Sequence, residues 1–184
     1  MKPIHHRHSV NVHIYPSPFE HESRILKITK SLADAGLFDT IYIFAIWKSG
    51  LQEEEPLDEI RKVIRIRVQY FAESDGVLFK VLKIAEWAWR IFKWLRAQKV
   101  QCVNCHSLSV LPLCAVLKIR HKAKLVYDTH ELETETANSA GFRKLLAKMT
   151  ERVLVPFIDK VVVVNSDIAR WYQNHYRLEG KISI

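Results

Sequence analysis

The chain has 184 residues, 48% apolar and 26% charged, with a formal net charge of +8. That is one globular domain's worth of chain, able to bury roughly 70% of its unfolded surface, and no apolar run reaches the roughly 18 residues that cross a bilayer. Three cysteines, an odd number, argue against a disulfide framework, and the first residues lack the apolar stretch of a secretory signal, so the expected location is cytoplasmic.

Residues 1–8 read as a flexible N-terminus, and His5, His6 and His8 within it receive no role. The first strand is expected over 10–15, where β-branched residues alternate with polar ones. A loop, Pro16-Ser-Pro-Phe-Glu-His-Glu-Ser23, leads into a helix marked by Ile25, Ile28, Leu32 and Ala35, with Gly36 in the C′ position. Residues 40–46 form a near-continuous apolar run, the pattern of a strand buried on both faces. Residues 48–59 are polar and carry Gly50 and Pro56, which predicts loop. Further strands are expected over 63–68, 100–103, 124–127 and 161–164. Helices are expected over 76–98, 108–119, from Phe142 to Phe157, and after Ser166, the expected cap. Residues 181–184 begin one more strand.

Alternation of this kind implies an α/β fold: a Rossmann-like, doubly wound parallel sheet with helices on both faces. In such sheets ligands bind outside the carboxyl ends of the strands. The first loop has no glycine, and a dinucleotide fingerprint requires several; no cofactor is assigned on this pattern. Ser17, Ser23 and Arg24 can offer a hydroxyl and a fork of donors to a ligand, or serve as a helix cap and a surface arginine.

Cys102-Val-Asn-Cys-His106 matches the c-type haem pattern. Cys102 nevertheless falls inside an apolar strand, where a haem cannot attach, and two cysteines are too few for structural zinc. His106 stands at the end of the fourth predicted strand, either facing a ligand or held structurally. The strand at 124–127 is followed at once by Asp128, Thr129, His130 and Glu131. A carboxylate beside an imidazole can fix its tautomer and raise its basicity; the alternative is that the carboxylates brace the loop. No metal site is assigned.

The stretch Val126-Tyr-Asp-Thr-His-Glu131, the downstream Glu151-Arg152, and Val161-Val-Val-Val-Asn-Ser166 leading into Ile168-Ala169 together resemble the N-terminal half of a family 4 (group 1) glycosyltransferase. Ser23-Arg24, Leu32-Ala-Asp-Ala-Gly36, Cys105-His-Ser107 and Leu111-Pro112 extend the likeness over roughly residues 9–184. The resemblance implies a GT-B enzyme, two Rossmann-like domains facing across a cleft, which transfers sugar with retention of configuration and without an obligatory metal. It implies that residues 9–180 form the acceptor-side domain and that 181–184 begin the interdomain crossover. The nucleotide-sugar donor is then bound mainly by a C-terminal domain that this chain lacks, so the chain alone is expected to be inactive. His130 matches a histidine that reaches the donor sugar, which makes it the catalytic candidate; Asp128 and Glu131 match its neighbours, and Ser17 and His106 face the cleft. The prolines of the first loop depart from the family's glycines.

On a wheel of about 100° per residue, Leu78, Val81, Leu82, Ala85, Trp89 and Phe92 predict the core face of the long helix, and Ile84, Ala88, Ile91 and Leu95 widen it. Trp87 and Trp94 then fall among Lys80, Lys83 and Arg90, a pattern suited to an anionic membrane surface and a lipid-linked acceptor; packing under a loop or against another subunit is the alternative. A non-catalytic module for an anionic partner is a second reading, but dispersed basic residues argue against nucleic acid.

Overall fold

The computed structural model describes residues 9–70, 76–129, 142–176, 178 and 180–184. In chain order the elements are β1 (Val10–Ile14), α1 (Ser23–Asp34), β2 (Thr40–Ile46), β3 (Glu54–Pro56), β4 (Arg61–Ile66), α2 (Val77–Leu95), β5 (Val100–Cys105), α3 (Leu111–His121), β6 (Lys124–Thr129), α4 (Phe142–Leu154), β7 (Lys160–Val163), α5 (Ser166–Tyr176) and β8 (Ile182–Ser183). The strands form a Rossmann-like sheet in the order β3-β4-β2-β1-β5-β6-β7-β8. β4 lies parallel to β2, and β5 through β8 pair parallel in succession. β3, in the segment expected to be loop, is a short antiparallel edge strand on β4. Its Pro56 is tolerated because an edge leaves one side of the strand without ladder bonds.

The chain divides into two compact units, residues 1–12 with 17–101 and residues 13–16 with 102–184. In the first, Ile41, Ile43, Phe44 and Ala45 of β2 and Val63 of β4 are inaccessible to solvent, as the unbroken apolar run requires. The glycine-free first loop turns at Phe19, whose φ of 60° places a bulky residue in the left-handed region. That conformation costs about 1–2 kcal/mol and is held from both sides. Phe19 is buried, and the buried Arg65 donates to Pro18 O at 2.8 Å, Phe19 O at 3.1 Å and Gln52 O at 3.0 Å. Gly36 closes α1 at a φ of 61°, the C′ geometry expected of it.

Helix α2 is rotated relative to the wheel: Ile91 and Leu95 are buried as expected, but the stripe beside them is a different one. Trp87 is fully buried and donates its indole N–H to Ala45 O at 3.0 Å. Ile91 and Leu95 continue that buried stripe. Trp94 packs edge-on to Tyr42 and Phe44, with ring centroids 4.9 and 5.3 Å away. Leu78, Val81 and Trp89, expected in the core, are 68%, 61% and 54% exposed. Trp87 is therefore not a membrane contact. Both arcs of this helix are apolar and each carries a tryptophan, so hydrophobicity did not separate them; the buried arc is the one whose indole N–H meets the Ala45 carbonyl.

In the second unit, β7 sits between β6 and β8. Asn165, not Ser166, caps α5, its Oδ1 accepting from Ile168 N at 2.9 Å. The apolar steps that predicted α4 lie on its outer side, where Leu145, Leu146, Met149 and Val153 are exposed.

Candidate active site at the carboxyl ends of the strands

Register builds this site. β5 and β6 are parallel with Cys105 opposite Tyr127, so the next residue on each, His106 and Asp128, stand side by side. His106 Nδ1 lies 3.0 Å from Asp128 Oδ2. His106 Nε2 lies 2.8 Å from His13 Nδ1 on β1, and the two imidazoles stack with centroids 5.1 Å apart. Tyr15 closes the cluster edge-on to His106, and the His106 amide donates to Ile14 O at 3.2 Å. All four residues belong to the second unit.

In the Nδ1–H tautomer His106 donates to Asp128 and turns the lone pair of Nε2 towards His13 Nδ1. His13 must then donate from Nδ1, so its own Nε2 also carries a lone pair. That nitrogen is buried with no hydrogen-bond partner among the described residues. Burial holds His13 well below its ordinary value of 6.5; His106 adds to the effect and Asp128 opposes it. The result is a three-residue hydrogen-bonded chain, Asp128–His106–His13, in which burial keeps the His13 imidazole neutral.

A second polar network braces the end of β6 from the other direction. Glu151 is fully buried and accepts from Tyr172 Oη at 2.6 Å and Tyr176 Oη at 2.8 Å. Burial first, then the Glu151 carboxylate, pushes the Tyr172 phenol up, while Thr129 at the end of β6 hydrogen-bonds to it. Asp128 and Thr129, the last two described residues before His130 in sequence, are thus held by separate networks.

The structure brings His106 and Asp128 together, both buried, so they pair with each other where the sequence reading had each facing a ligand. His130 and Glu131 lie outside the described residues. Ser17 is in the first unit, where its hydroxyl donates to Glu22 and accepts the Phe19 amide at 3.0 Å. Arg24 occupies the first turn of α1 in that unit. Lys80 and Lys83 line a cavity of the first unit; Arg90 pairs with Glu86 at 2.8 Å. His13 was missed. Asn11 and His13 alternate with Val10, Val12 and Ile14 on a strand buried throughout, and polar side chains at alternate buried positions were the available signal. Cys105 is buried, its thiol donating to Ser107 O at 3.1 Å, which suits a structural thiol and not a haem thioether. Among the described residues no group of three or more His, Cys, Asp or Glu is arranged to hold a metal ion, and no helix is long and apolar enough to cross a membrane.

The fold is shared with sucrose-phosphate synthase from Thermosynechococcus elongatus, at 9% identity and a TM-score of 0.72 over 95% of this chain and 47% of that one. It is shared with the lipopolysaccharide outer core galactosyltransferase WaaB (11% identity, TM-score 0.60, 96% and 44% of the two chains). Anabaena HepE, solved with UDP and glucose, aligns at 16% identity and a TM-score of 0.56 over 95% and 43%. The chain thus spans less than half the length of these three enzymes, in each case one Rossmann-like domain of a GT-B fold. No curated protein sequence matches it. Residues 21–184 match the profile of Glycosyltransferase Family 4, and with nearly the whole chain covered, the protein belongs to that family.

Proposed function

We propose that this chain is the acceptor-side domain of a retaining glycosyltransferase, which moves a sugar from a nucleotide-sugar to a glycan or lipid-linked acceptor. It is inactive until joined by a donor-binding domain. The observation that carries this reading is the Asp128–His106–His13 relay at the carboxyl ends of parallel strands, directly before His130. Ligands of open α/β sheets bind at such ends. HepE, of the same fold, was solved with UDP and glucose.

In this reading the relay positions and does not react. His106, backed by His13, holds the Asp128 carboxylate and Tyr172 holds Thr129, the two residues that precede His130 in sequence. His130 donates to a donor-sugar hydroxyl, Glu131 fixes its tautomer, and Ser17 and Arg24 contact the acceptor side. Preorganised donors of this kind stabilise developing charge without reorganising.

A peripheral membrane contact belongs to the same proposal, now on the corrected face of α2. Leu78, Val81 and Trp89 are exposed, and Lys93 lies over the Trp89 ring at 5.3 Å, an amphipathic edge suited to an anionic leaflet. The functional test is complementation: the 184-residue chain alone should give no turnover with any nucleotide sugar, and adding a family donor domain in trans or by fusion should restore transfer. Robust transfer by the chain alone would refute the reading.

A further inference from the structure

The first unit holds a cavity of about 520 Å³ at the carboxyl ends of β2 and β4, roofed by α2. Its wall is apolar: Ile46, Trp47, Val68, Ile84 and Trp87. Among the described residues its only other lining residues are three cations, Arg67, Lys80 and Lys83. There is no carboxylate among them and no amide or hydroxyl side chain to read a base or a sugar. The floor includes the inaccessible Trp87, while Lys80 and Arg67 are exposed, so the apolar surface lies inside and the charge at the mouth.

The three cations differ in what they have left to offer. Arg67 pairs with Glu53 at 3.0 Å and lies over Trp47 at 3.5 Å, extending the wall. Lys80 and Lys83 pair with no carboxylate among the described residues. Three apart on one helix they repel each other, and an anion between them would relieve that repulsion. A singly charged carboxylate matches one ammonium; a phosphate monoester, with roughly −1.5 to −2 charges at pH 7, matches both. The neighbouring cavity of about 450 Å³ is less suited, since its Arg65 and Arg90 are already paired with Glu55 and Glu86.

We infer that this cavity takes a phosphate-headed amphiphile, its phosphate between Lys80 and Lys83 and its hydrocarbon against Trp47, Val68 and Ile84. The inference rests on the acceptor reading and narrows it from any glycan or lipid to a lipid phosphate. The outer arc of the same helix exposes Leu78 and Val81, which suits extraction of such a ligand from a bilayer.

Calorimetric titration of the 184-residue chain tests it, with three probes kept below micellar concentrations: octyl phosphate, octanol and inorganic phosphate. Octyl phosphate should bind at least tenfold tighter than either of the others. Lys80→Gln/Lys83→Gln should lose at least tenfold for octyl phosphate with an unchanged thermal midpoint, and Lys80→Arg/Lys83→Arg should keep it. Ile84→Asn should weaken octyl phosphate and leave inorganic phosphate as it was. Equal affinity for inorganic phosphate, meaning a soluble-anion site, would overturn the inference. So would equal affinity for octanol, or a lysine double variant that binds as before. Loss of this binding leaves sugar transfer standing, while absent transfer with binding intact refutes the reaction and leaves the cavity.

Discussion

His13 is an imidazole with nowhere to put a second proton. In the unfolded chain it titrates near its ordinary 6.5, whereas in the folded protein burial holds it well below that value. As pH falls through about 6.5 the unfolded state takes up a proton that the folded state refuses, so the stability contributed above that pH drains away until His13 itself titrates. Urea midpoints measured from pH 8 downwards should fall below about 6.5, and His13→Phe should flatten that descent relative to wild type; parallel curves would contradict the buried neutral imidazole. Tyr172→Phe removes one of two donors to the buried Glu151. It should cost about 1–3 kcal/mol by denaturant unfolding, and a change within error would show Glu151 satisfied otherwise. Asp159 is shifted in the same direction as His13 but by partners, not by burial, and in a more acidic window. Burial would raise its carboxyl, but Lys118, the Leu125 amide and Lys124 outweigh burial and hold it at about 2, so its stabilisation is intact above pH 4 and lost only in strong acid.

At the scale of elements, α2 separates what was legible from what was not. Strands announced themselves because an unbroken apolar run such as residues 40–46 has one outcome in an open sheet, burial on both faces. The helix offered two apolar arcs, and the buried one is that whose Trp87 reaches Ala45 O, a contact 42 residues away in sequence that no local pattern encodes. The orientation makes a paired prediction. Trp87→Ala should cost about 3–5 kcal/mol, while Leu78→Ser should stay within about 0.5 kcal/mol; the reverse order in thermal unfolding would restore the discarded wheel. α4 repeats the lesson, with regular apolar steps that mark a helix and yet face outward. The site was half legible for a related reason. Asp128 and His106 follow strand ends and are visible as punctuation, whereas His13 sits inside a strand and gains meaning only through β5 being its neighbour in the sheet.

For the whole molecule, the family and the fold agree, and chemistry is the remaining step. The chain corresponds to less than half the length of sucrose-phosphate synthase, WaaB and HepE, and the net charge of +8 favours anionic partners. Two independent networks, one of imidazoles and one of phenols, converge on Asp128 and Thr129, more polar order than a sheet needs to hold a strand end. The most direct measurement is steady-state transfer by this chain fused to a family donor domain, with and without His130→Ala. The account predicts that the substitution lowers kcat by at least about a hundredfold, a loss of about 2.7 kcal/mol of transition-state stabilisation, with the fold intact. An unchanged kcat in His130→Ala would contradict it.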